Sequence, residues 1–217
     1  MLFRSNITLD NANNFSSVGI ASGINVVLND TNALVLNAST VSGTLNVTTA
    51  GAITQNGTLS VASGASTLAA GAANNITLGD NTNNFASVGI TSGNNVVLND
   101  TNDLALNAST VSGTLSVTAN GAISDNGDLA VTGASTFAAA TGITLDNANN
   151  FSSVNASTTA GNVVLNDTGD LVLAGVNANT SRASISAAGA VTQTGAITAG
   201  SLQLTGAGSF KIGRAHV

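Results

Sequence analysis

The sequence predicts an all-β protein, a right-handed single-stranded parallel β-helix of about nine uncapped coils, and three observations carry that expectation. First, the chain repeats itself over a long period: NVVLNDTN occupies 25–32, returns at 95–102 and reappears as NVVLNDTG at 162–169. Val26, Val96 and Val163 therefore stand 70 and then 67 residues apart. Second, the apolar residues fall in clusters of three to five that alternate with period two, which places flanking pairs on one face of a strand. Third, Asn, Asp and Gly separate the clusters, as in Asn29-Asp30, Asn56-Gly57 and Gly79-Asp80, and no apolar stripe at helical spacing runs over ten residues.

Within the first copy, Ile7 and Leu9 flank Thr8, and the string ITLDNANNF (7–15) opens the unit. Leu34 and Leu36 flank Val35, Leu45 and Val47 flank Asn46, and Leu59 and Val61 flank Ser60. ITLGDNTNNF (76–85) and ITLDNANNF (143–151) open the second and third copies, NASTVSGTL (37–45) recurs at 107–115, and GASTL (64–68) pairs with GASTF (133–137). The expected units are 6–75, 76–142 and 143–210, the last degenerate after 175.

One unit reused, small and medium aliphatics suited to a narrow tube, and inward side chains stacking on like side chains favour a solenoid over a sandwich. At roughly 20–25 residues per coil, each unit would hold about three coils. Phe15, Phe85 and Phe151 share one position after an Asn-Asn pair and are expected to plug the core.

The two ends stand outside the pattern. Met1-Leu2-Phe3-Arg4-Ser5 and Ile212-Gly213-Arg214-Ala215-His216-Val217 resemble translations of the two adapters used in short-read sequencing, with Lys211 partly included. Residues 1–5 and 211–217 are therefore expected to be scars around an internal fragment of a longer protein.

Between them Arg182 is the only secure cation against ten acids, all Asp, a native charge of about −9. Charged residues make up 6% of the chain, against roughly 25% in ordinary globular domains. Cysteine is absent, which excludes disulfides and thiol metal sites. Phosphate backbones would meet uncompensated negative charge, so nucleic acid is not an expected partner.

The acids nearest to a catalytic arrangement are Asp100/Asp103, Asp125/Asp128 and Asp167/Asp170. Asp103 matches Ala33 in the first copy, and Asp128 matches Thr58 in the first and Ala196 in the third, so a repeated turn explains the pairs better than a hydrolase's two carboxylates. Asp30, Asp100 and Asp167 lie too many coils apart to share a cation at a rise of about 4.8 Å. No catalytic, cofactor-binding or metal residue is expected. Sequons such as Asn37-Ala38-Ser39, Asn107-Ala108-Ser109 and Asn166-Asp167-Thr168 are numerous in so Asn-rich a sequence.

NITLDNANNF, NNVVLNDTN, STVSGTLSV and GAITQNGTLSVAS together resemble the repeat region of very large bacterial exoproteins, over essentially all of 6–210. These are the filamentous-haemagglutinin-like adhesins of two-partner secretion and related autotransporter-type proteins. The resemblance implies a secreted β-helical stalk at the cell surface, exported through an outer-membrane pore without inserting in the membrane. It implies that glycans or surface proteins are bound through regions outside the repeats. The expected function is thus a structural stalk segment in cell adhesion; the alternative is a carbohydrate-active β-helix, a polysaccharide lyase or glycoside hydrolase.

Overall fold

A computed structural model describes residues 5–213, so residues 1–4 and 214–217, which hold most of the two adapter-like ends, lie outside the described residues. Within that range all regular structure is β, and every strand pairing is parallel. The protein is a β-solenoid of about ten turns.

Two ladders of strands run its whole length. The first contains Ile7–Asn13, Val26–Asp30, Leu45–Thr49 and so on to Arg182–Ala187 and Ser201–Thr205. The second runs from Ser17–Val18 through Leu34–Thr40, Ile76–Leu78, Val96–Asp100 and Leu115–Ala119 to Phe210–Lys211. Lys211, read from the sequence as partly scar, pairs there with Thr192.

A shorter third side changes place along the rod. At Ser39–Val41, 59–61 and 84–85 it follows the second ladder and precedes the first. From Ser109–Val111 through 129–131 to 149–151 it follows the first ladder and precedes the second.

The reason emerges from the register. Val26 climbs the first ladder through Leu45, Ser66, Val88, Leu106 and Asp125. From Ser124 the same ladder passes through Thr144 to Val164, beside Val163. That is seven turns for two repeats, in steps of 18 to 22 residues. Val96 lies between, on the second ladder, paired with Ile76 and Leu115. Each repeat therefore advances three and a half turns, not the three expected from the sequence. Successive copies of one motif face opposite sides of the rod.

The interior is mainly aliphatic. Val26, Leu34, Ile53, Ile76, Val96, Leu129, Val163 and Val191 are each 0% exposed and form part of one continuous core. Phe85 and Phe151 are 1% exposed, as expected, while Phe15 in the outermost described coil is only partly buried.

Like aliphatics stack inside, as Ile53 on Ile76 and Ile76 on Val96, and Asn stacks on Asn outside. The Asn25 amide donates to Asn6 Oδ1 at 3.1 Å and the Asn95 amide to Asn75 Oδ1 at 3.2 Å. Thr44 and Thr114 extend the two stacks by donating to Asn25 and Asn95. An amide holds two donors and a two-lone-pair acceptor, so an exposed corner satisfies it where an aliphatic core would leave groups unpaired.

Two of the buried polar side chains, both serines, find no hydrogen-bond partner. Ser66 and Ser135, equivalent in their repeats, are 0% and 1% exposed, and neither hydroxyl has a hydrogen-bond partner. Each is stacked against a coil that carries a phenylalanine: Ser66 on Val88 beside Phe85, and Ser135 on Val154 beside Phe151. A small residue facing a large one is how a packed interior keeps its density.

Coils approach most closely at glycines. At Gly161, with φ of 89°, an added Cβ would lie 1.6 Å from the Thr141 carbonyl oxygen. Only a residue that lacks a Cβ fits there.

Candidate functional site

The most elaborate polar arrangement recurs once per repeat at the end of the VVLND strand. There the period-two alternation turns Asp30, Asp100 and Asp167 inward, and all three are buried. One carboxylate oxygen accepts the backbone N–H of a phenylalanine in the preceding coil, from Phe15 at 2.6 Å, Phe85 at 2.7 Å and Phe151 at 2.7 Å. The other oxygen caps its own turn, accepting from Asn32 at 3.0 Å, Asn102 at 2.9 Å and Gly169 at 2.8 Å. Each aspartate thus ties two coils together and closes a corner.

Burial sets the charge balance of the Asp100 and Asp167 clamps. Desolvation raises the pKa of Asp100 and Asp167 above the ordinary 3.8; the N–H donors oppose it, and the neighbouring Asp103 or Asp170 adds to it. An acid that holds its proton more tightly in the folded than in the unfolded state favours folding as pH falls. Its stabilising contribution is complete below 3.8 and is lost as pH rises through the raised folded value. The exposed Asp80, lowered by hydrogen bonds from Thr82, acts in the opposite direction. The urea midpoint followed by circular dichroism should therefore rise on acidification from neutral pH toward about 4, and a D100N/D167N double variant should flatten that rise. A wild-type midpoint that falls over the same range would contradict this account.

Next to the clamps lie fully buried amides. Asn83 accepts the Leu59 N–H at 2.9 Å and exchanges hydrogen bonds with the Gln55 amide. Asn149 accepts the Leu129 N–H at 2.8 Å, and its amide donates to Asp125 at 2.7 Å. Asp125 and Gln55 are equivalent in their repeats, one acid replacing one amide in the same role. Sequence reasoning misses these asparagines, although the Asn-Asn pair before each phenylalanine is their signal.

The aspartate pairs singled out from the sequence are all committed to backbone. Asp103 accepts from Ala122 at 2.7 Å, Asp128 from Ala148 at 3.1 Å and Asp170 from Ala190 at 2.6 Å. They do more than shape a turn, because each bond spans two coils. Arg182 is exposed and donates to Ser184 and Gln203 on its own face. Among the described residues no three His, Cys, Asp or Glu side chains gather as a metal site.

Two shallow grooves follow from the displaced third side. One, of about 430 Å³, runs over the corner where the second ladder meets the first, lined by Asn120, Ala139, Thr158, Asn177 and Asn179. The other, of about 420 Å³, lies over the third-side strands, with Val111, Val131 and Phe151 as its floor and Thr132 and Asp170 on its rim. Both are open, and neither converges polar groups on a point.

Three segments, 23–92, 93–158 and 160–214, match a family described as repeats of unknown function (DUF5649). The protein belongs to that family. The DUF5649 segments keep the 70- and 67-residue spacing and open 17 residues later than the units read from the sequence. Each begins just before a VVLND strand, so every DUF5649 copy carries one aspartate clamp. No curated protein and no solved structure matches the sequence.

Proposed function

We propose that the protein is a structural stalk segment of a large secreted bacterial surface protein of adhesin type, without catalytic activity of its own. The observation that carries this reading is that the repeat works as a unit of length. Each copy adds three and a half turns, about 17 Å of rod at the spacing of stacked strands, around an unbroken apolar core.

The polar groups best placed for chemistry are engaged in holding that rod. Asp100 and Asp167 are each occupied by two backbone N–H donors, and the remaining acids of the three pairs brace neighbouring coils. Such a segment carries a binding region away from the membrane, and the partners, glycans or surface proteins, meet that region and not the rod. Export through an outer-membrane pore suits a polypeptide with no cysteine to cross-link before it folds outside.

The test is to insert one, two or three copies of residues 6–210 between an autotransporter's membrane anchor and a binding tip, in a Gram-negative host. The height of the tip above the cell surface, read by atomic force microscopy with a tip-specific antibody, should grow by about 48 Å per insert, the length of ten turns. A tip height that ignores copy number, or inserts held inside the cell, would sink the proposal.

A further inference from the structure

We propose that Asn126 is a site of self-catalysed deamidation, with the protein's own backbone as nucleophile. The sequence contains three Asn-Gly steps, at 56–57, 120–121 and 126–127. In such a step the glycine nitrogen attacks the asparagine Cγ. A new N–Cγ bond closes a five-membered succinimide as the Cγ–Nδ2 bond breaks, and ammonia leaves with the proton of the attacking N–H. Water then adds to either carbonyl of the ring and opens it to aspartate or isoaspartate. Water is the only co-reactant.

The structure separates the three steps. Gly121 is buried and its N–H is engaged, donating to the Asn102 carbonyl at 3.0 Å. A Cβ there would lie 2.1 Å from Asp103 Oδ1, so the nitrogen has no room to swing toward Cγ. Asn56 lies within the strand Ile53–Ala69, and its amide donates to Asn37 Oδ1 at 3.5 Å.

Asn126 differs from each at the reacting atoms. Like Asn120 it is exposed and lies outside any strand, but among the described residues neither its amide nor the Gly127 N–H makes a hydrogen bond. The nucleophile and its target are both free.

The product would change this corner. Asn126 N–H donates to the Leu106 carbonyl at 2.7 Å and Ser109 N–H to the Asp128 carbonyl at 3.0 Å, so the corner is held to the coil below on both sides. Deamidation sets a third carboxylate between Asp125 and Asp128. Isoaspartate also lengthens a backbone that already passes so near Ala108 that a Cβ on Gly127 would lie 2.8 Å from its nitrogen. The extra atom and the extra charge both loosen the coil.

The experiment incubates the whole protein, folded or unfolded in urea, at mildly alkaline pH. Peptide mapping with electron-transfer fragmentation then distinguishes Asn, Asp and isoaspartate at all three steps. In the folded state Asn126 should convert about tenfold faster than Asn120, the factor that one retained backbone hydrogen bond supplies. In urea the two rates should converge, and an Asn126→Ser variant should lose the fast phase. Equal rates in the folded state, a lead by Asn120 or Asn56, or an Asn126 that stays intact while the unfolded protein deamidates would each overturn the proposal.

Discussion

Phe151→Ala should destabilise the rod by about 3–5 kcal/mol, the usual cost of emptying a buried ring site. Phe151 is 1% exposed, and its ring meets Phe137 edge to face, with centroids 5.8 Å apart and planes at 72°. That contact is lost along with the buried area. Its N–H is also the donor to Asp167, so a coil that relaxes into the cavity disturbs the clamp as well. Phe15→Ala should cost clearly less, because Phe15 is only partly buried. The sequence has no Trp or Tyr, so far-UV circular dichroism in urea is the suitable probe. Equal midpoints for the two variants would show that the equivalent phenylalanines do not differ in the way their burial implies.

The second large effect has the opposite sign. A Ser66→Ala/Ser135→Ala double variant should be more stable than the wild type by about 2 kcal/mol, roughly 1 from each unpaired hydroxyl removed from the core. The two sites lie several turns apart and share no partner, so the increments should add. Valine is the wrong replacement, since Phe85 and Phe151 occupy the neighbouring coils and added methyls would overpack them. A double variant less stable than wild type would mean that each hydroxyl has a use the structure does not show.

Much of this architecture could be read from the sequence because its causes are local. Period-two clusters such as Ile7-Thr8-Leu9 and Leu34-Val35-Leu36 do lie in strands; of the separators, Asn29-Asp30 ends a strand and Gly79-Asp80 lies between strands, whereas Asn56-Gly57 falls inside the strand Ile53–Ala69. Phe85 and Phe151 are buried where an apolar residue after two asparagines was expected to be.

The winding number was not legible. Counting apolar clusters estimates how many strands a repeat holds, but the number that closes one turn depends on the corners. Those differ sharply: 70–75 takes six residues to pass from the first ladder to the second, whereas Ala86 alone separates the third-side residues 84–85 from the next coil's first-ladder strand. Nor did the aspartate pairs disclose their partners. Asp103 and Ala122 are 19 residues apart, and only the coil length brings them together.

The half-turn carried by each repeat has a consequence for anything attached to this rod. A probe placed at residue 97 would point away from probes at residues 27 and 164, which share one meridian. Bristles fixed once per copy would project left and right in alternation, so neighbouring rods could be bridged on both flanks and laid into a mat. An even number of repeats returns the polypeptide to its starting azimuth; an odd number delivers whatever follows to the antipode.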